Sequence, residues 1–102
     1  MNLERWEEAV AALREAIRLK PEDSDSHYRL GRALMNLERR EEAVAPLREA
    51  IKLQPENADA HFLLGALLVV LRRWEEAVVS LREAIRLKPE NAGGTIDWVV
   101  HW

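Results

Sequence analysis

Apolar residues along the chain fall in helical stripes separated by proline-containing breaks. In the first stretch Ala9, Val10, Leu13, Ala16 and Ile17 share one face of a helix. This predicts a helix over residues 4–19, with Glu7 and Glu8 in its first turn, Lys20 just past its last, and Pro21 as its stop. Asp23, Ser24 or Asp25 can cap the next helix, because each offers a short side-chain oxygen to a free backbone N–H. That helix is expected over 26–36, with His27, Leu30, Gly31 and Leu34 facing inward. A mid-helix glycine costs about 1 kcal/mol and is best tolerated where a neighbouring helix approaches closely.

A third helix is expected over 40–53, ended by Pro55. Pro46 lies one turn inside it and lacks the N–H that the Glu42 carbonyl would accept, which predicts a local kink or a late helix start. The fourth helix, 58–71, repeats the inward stripe with Leu64, Gly65, Leu67 and Leu68. Its other side carries Leu63, Ala66 and Val70, so it is apolar all round and is expected to be buried. The fifth, 74–87, returns to the ordinary pattern and stops at Pro89. After Gly93-Gly94 the chain ends in TIDWVVHW. There Ile96, Trp98, Val100 and Trp102 alternate with Thr95, Asp97, Val99 and His101, which argues for an extended segment. A helix pairing Trp98 with Trp102 is the open alternative.

These stripes are copies of one another. LREAI begins at Leu13, Leu47 and Leu81, a spacing of 34 residues both times. EEAV precedes each copy, and IRLKPED, IKLQPEN and IRLKPEN follow. MNLER at the start recurs from Met35, so the first unit is a half that lacks its first helix. A helical unit that cannot bury its apolar stripe alone stacks on a copy of itself.

Composition narrows the function classes. The net charge of −3 leaves no electrostatic case for nucleic acid. Without cysteine there is no disulfide and no thiolate. The longest apolar run, 62–71, is far short of the ~20 residues that span a bilayer. The N-terminus is charged at once and has no signal-peptide core, so cytoplasmic residence is the default expectation.

The units resemble the tetratricopeptide repeat family. The unit from Ala58 supplies His61, Leu64, Gly65, Leu68, Trp74, Ala77, Leu81, Ala84 and Pro89 at the family's signature positions. The unit from Ser24 supplies His27, Leu30, Gly31, Leu34, Arg40, Ala43, Leu47, Ala50 and Pro55. The half unit supplies Trp6, Ala9, Leu13, Ala16 and Pro21. Arg40 where tryptophan is usual, and histidine at the first signature position, depart from the pattern. The resemblance implies an all-α, right-handed α-solenoid over residues 1–91, divided as 1–23, 24–57 and 58–91, followed by a linker and apolar tail, 92–102. It also implies a concave face, lined by the first helix of each pair, that binds peptide segments of other proteins. The basic clamp that some members use for acidic C-termini is missing: Asp25 and Asp59 would repel a carboxylate, and the unit from Ala58 has no basic residue there.

No catalytic or cofactor chemistry is expected. His27 and His61 are equivalent residues on stacked helices about 8–10 Å apart, too far to share one zinc at about 2 Å each, and are read as packing residues. Adjacent glutamates such as Glu41 and Glu42 do not face each other on a helix. No histidine is placed by pattern to activate a serine, so an enzyme is not expected. The expected function is a protein-interaction scaffold. Its peptide face comprises Tyr28, Arg29, Arg32 and Asn36 for hydrogen bonds and Phe62, Leu63, Ala66, Val69 and Val70 as an apolar wall. The alternative is a self-assembly module, a homo-oligomer in which the tail residues Ile96, Trp98, Val100 and Trp102 or the terminal helices exchange between protomers.

Overall fold

The structure, a computed structural model, describes residues 3–89. The tail with Ile96, Trp98, Val100 and Trp102, the linker before it and His101 lie outside the described residues. Five helices run in order: α1 (Leu3–Leu19), α2 (Ser24–Asn36), α3 (Arg40–Leu53), α4 (Ala58–Val70) and α5 (Trp74–Leu87). Among the described residues there is no strand. Pro21, Pro55 and Pro89 each stand two residues beyond a helix end. The all-α solenoid expected from the repeats is what forms. None of the helices is long and apolar enough to cross a membrane.

The helices pair through their glycines. α2 packs most extensively on α3, and α4 on α5, while α1 on α2 and α3 on α4 make lighter seams. A Cβ built on Gly31 would fall 2.7 Å from Cγ of Leu47, and one on Gly65 would fall 2.6 Å from Cδ2 of Leu81. Both helices of each pair therefore touch at a point where only hydrogen fits. Around these contacts Leu34, Leu47, Leu67 and Leu68 are fully buried, with Val10, Leu30, Ala43, Val44 and Leu64 in the same cluster.

The short connections repeat as closely as the helices. After α2, the Glu38 N–H donates to the Met35 carbonyl at 3.0 Å and the Arg39 N–H to the Leu34 carbonyl at 2.9 Å. After α4, the Arg72 N–H donates to Val69 at 3.0 Å and the Arg73 N–H to Leu68 at 2.8 Å. Glu38 and Arg72 both sit at φ 61°, the left-handed position that closes such a turn and is usually taken by glycine. The longer connections end in side-chain caps: Asp23 accepts from the Asp25 N–H at 3.2 Å, and Asn57 from the Ala60 N–H at 3.1 Å. Capping at Asp23 starts α2 at Ser24, two residues earlier than the stripe alone predicts. Ser24 then donates from its buried hydroxyl to the Ala50 carbonyl at 3.1 Å, tying α2 to the end of α3.

Two expectations are corrected. α3 begins at Arg40, in register with α5 at Trp74, so Pro46 does not delay its start. Of the two outcomes expected at Pro46, only the late start is excluded: Pro46 is the seventh residue of α3, so the helix is established before its missing N–H leaves the Glu42 carbonyl without that donor. α4 is not buried all round either, since Phe62, Val69 and Val70 are 42%, 39% and 57% exposed. Its neighbours α3 and α5 cover one side, and no described helix covers the other.

Gly31→Leu and Gly65→Leu should each destabilise the fold by roughly 1–3 kcal/mol of overpacking, read from urea melts. Asp23 and Asn57 hold the same cap position with different chemistry, and only Asp23 titrates. Its carboxyl is held below the usual value, chiefly by the Ser26 hydroxyl; desolvation opposes this, and the Asp25 N–H and Lys20 add smaller effects in the lowering direction. A depressed acid contributes stability that is fully present above its unfolded value of about 3.9 and lost as pH falls through the folded one. Asp23→Asn should therefore lose this contribution at neutral pH and show a flatter decline below about pH 4 than the parent, measured by thermal melts across that range.

Candidate functional site

The helices form two layers. α1, α3 and α5 are bridged along one side by ion pairs, Arg14–Glu42 at 3.9 Å, Arg48–Glu76 at 2.6 Å and Arg73–Glu41 at 3.8 Å. α2 and α4 form the other layer, and a hollow of about 330 Å³ opens between them, lined by Tyr28, Asp59, Phe62 and Leu63. Tyr28 comes from the second turn of α2, and the other three from the first two turns of α4. Leu63 and Tyr28 are half-buried and Phe62 is exposed. Burial against these neighbours pushes the Tyr28 phenol up, and the carboxylates of Asp59 and Asp25 add to the effect while Arg32 opposes it.

The remaining α2 residues are arranged around Tyr28. The Arg32 guanidinium lies over the Tyr28 ring, 5.9 Å from its centroid. One turn earlier, Arg29 pairs with Asp25 at 2.7 Å on the helix surface. Asn36 turns its amide back onto the Arg32 carbonyl at 3.0 Å. Both arginines also border a second hollow, of about 390 Å³, with Trp6, Ala9, Ala12, Leu13 and Ala33. The nine residues expected to form one face are thus split. Tyr28, Phe62 and Leu63 share the hollow between α2 and α4, while Arg29 and Arg32 line the hollow against α1. Asn36, Ala66, Val69 and Val70 line neither and continue the face along the later turns of their helices. Sequence reading placed Asp59 on this face only as a repulsive charge, and it did not join Trp6 to Arg29 and Arg32. The one signal for the second hollow was that the first unit lacks its first helix.

The histidines take structural positions. His27 meets the Pro21 carbonyl through Nε2 at 2.8 Å, and His61 meets the Pro55 carbonyl in the same way at 2.8 Å. Each ties the start of its helix to the proline that ended the previous one. That accounts for histidine at this position in both units.

Comparison with known proteins places this arrangement. A family model described as Tetratricopeptide repeat matches residues 1–52 and 28–92. Among solved structures, YrrB, described as a TPR protein with an unusual peptide-binding site, is 26% identical with a TM-score of 0.77, covering 85% of this chain and 45% of that one. MamA of Desulfovibrio magneticus RS-1 is 26% identical with a TM-score of 0.78, covering 87% of this chain and 50% of that one. The TPR2B domain of yeast Sti1, solved as a complex with pHsp70, is 24% identical with a TM-score of 0.82, covering 96% of this chain and 82% of that one, and shows the shared fold alone. The chain spans about half the length of YrrB and MamA. No curated protein sequence matches the chain.

The two sides of α4 should respond oppositely to substitution. Leu64→Ala on the buried side should cost about 2–5 kcal/mol. Val70→Ser on the open side should stay within about 0.5 kcal/mol, measured by denaturant unfolding, because more than half of that side chain is already in water.

Proposed function

The chain belongs to the tetratricopeptide repeat family, a protein-interaction fold, and on that premise we propose that the α2–α4 face is the concave face and binds an extended peptide of another protein. The observation that carries the reading is the composition of α4. A helix in a folded unit normally shows solvent a polar side, yet α4 offers Phe62, Val69 and Val70 there, flanked by half-buried Leu63 and Ala66. A contiguous exposed apolar strip bordered by polar residues marks an interaction site. YrrB, a relative of similar architecture, is itself described as having a peptide-binding site, which supports the class of partner.

Chemistry along the face defines what the peptide carries. The hollow of Tyr28, Asp59, Phe62 and Leu63 takes an apolar side chain, with aromatic surface on two sides. Val69 and Val70 extend the apolar contact toward the end of α4. Arg32, and Arg29 once it releases Asp25, offer donors to an acid or amide on the peptide, and Asn36 offers an amide. The partner segment is therefore mixed: apolar where it crosses α4, acidic or amide-bearing where it crosses α2. No catalytic step is assigned to any of these residues.

A phage-displayed random peptide library selected against the chain should enrich sequences that join apolar residues to at least one acidic or amide residue. The best peptide should lose about tenfold in affinity on Phe62→Asp and on Arg32→Glu, and nothing on Val79→Asp, which lies on α5. Equal loss with Val79→Asp, or no enrichment, would overturn the assignment.

A further inference from the structure

A third hollow, of about 480 Å³, opens between α3 and α5 and shares no residue with the α2–α4 face. Ile51, Leu64 and Val79 give it an apolar wall, of which Val79 is 70% exposed. Arg48 and Lys52 border it from α3, His61 from α4, and Ser80 and Glu83 from α5. Ser80 is only 8% exposed, and among the described residues its hydroxyl has no hydrogen-bond partner. The other two buried serines are used by the fold: Ser24 donates to the Ala50 carbonyl and Ser26 to the Asp23 carboxylate. A buried hydroxyl without a partner carries a desolvation cost that a ligand atom in the hollow would relieve.

The repeat shows what that ligand atom should be. Arg14 meets Glu42 at 3.9 Å and Arg48 meets Glu76 at 2.6 Å, each pair 28 residues apart. One turn further along the same helices, the residues at that separation are Arg18 with Pro46 and Lys52 with Ser80. Neither rung has its acid. In the first, Arg18 is held instead by Glu15, three residues before it, at 3.0 Å, and Pro46 offers no hydroxyl. Arg86, the equivalent residue of α5, is held in the same way by Glu83 at 3.0 Å. Lys52 is the exception: Glu49 stands three residues before it, yet among the described residues Lys52 has no ionic partner. An uncommitted ammonium and an uncommitted buried hydroxyl thus border one hollow, at a rung that lacks a carboxylate.

We propose that the α3–α5 hollow is a second binding site, for a glutamate or aspartate side chain next to an apolar residue in a peptide segment of a partner protein. The partner's carboxylate takes the empty place in the ladder, accepting from the Lys52 ammonium and from the Ser80 hydroxyl. Arg48, already held by Glu76, adds positive charge one turn away. The adjoining apolar side chain lies on Ile51, Leu64 and Val79. The other end of the hollow has the opposite character. Glu83 keeps its charge there through Arg86, so it repels a second acid and accepts from a peptide N–H. His61 donates from Nε2 to the Pro55 carbonyl at 2.8 Å, which leaves Nδ1 as an acceptor as well. The site therefore selects a single acid beside an apolar residue and disfavours an acidic run.

An NMR titration of the full chain's backbone amides with the blocked peptide acetyl-GLEVG-amide tests this. The largest shifts should fall within residues 48–52 and 79–83, and the amides of Tyr28 and Phe62 should stay in place. Replacing the peptide's glutamate by glutamine, or Lys52→Gln in the protein, should weaken binding about tenfold, and Ser80→Ala by a few fold. Ser80→Asp supplies the absent acid from within and should remove binding. Lys52 is exposed and the Ser80 hydroxyl is unpaired, so Lys52→Gln and Ser80→Ala should keep the parental circular dichroism and melting temperature. Phe62→Asp, which disables the α2–α4 face, should leave this peptide bound, so the two sites stand or fall separately. Equal binding of the glutamine peptide, shifts centred on Tyr28 and Phe62, or no saturable shift would each overturn the proposal. So would the same shifts with sodium acetate at equal concentration, which would mark an adventitious ion only.

Discussion

The structure depends on a contact between a glycine and a leucine. Where Gly31 meets Leu47, and Gly65 meets Leu81, two helix backbones come close enough that a single methyl would overlap the facing side chain. Close approach fixes the pair as a unit. Leu34, Leu47 and Leu68 lie in the core around these contacts, sealed from water. Core leucines can be exchanged for others of similar volume at modest cost. The glycines have no such substitute, because they set the distance that the leucines fill.

A rigid pair repeated at constant spacing leaves function to residues that do not repeat. α2 and α4 share their glycine, leucines, histidine and cap position, yet past the aromatic pair Tyr28 and Phe62 their open sides differ. One carries Arg29, Arg32 and Asn36, and the other Phe62, Ala66, Val69 and Val70. The interior is nearly the same in both units, so these differences cost the fold little. They are where a partner could be distinguished, through an apolar strip and a basic strip on neighbouring helices.

Charge has a different role. Each ion pair between α1, α3 and α5 is exposed, and such pairs contribute at most about 1 kcal/mol. Their value lies in periodicity. Alternate signs at fixed spacing penalise a unit that slips against its neighbour. Acid pushed down and base pushed up by their mutual hydrogen bonds, as with Glu76 and Arg73, keep both partners charged well beyond neutral pH.

The sequence by itself determined the helices, their stops and their pairing. Stripe spacing placed α3 and α5 at their observed ends, and three prolines ended three helices, because these are local properties of backbone and side chain. It also identified the glycines as points of close approach, since a costly residue kept at the same place in both units has few other uses. Tertiary structure decided what depends on neighbours. The stretch NLER is written twice, yet Leu3–Arg5 is helical while Leu37–Arg39 forms a turn around Glu38 at φ 61°. In the second copy α2 must reverse to lay its glycine on α3, and in the first no described helix precedes it. The apolar side of α4 read as interior, because composition records affinity for a surface but not whether one is present. Likewise Val10, Val44 and Val78 hold one place in the repeat, and among the described residues only Val10 and Val44 have a later helix to cover them.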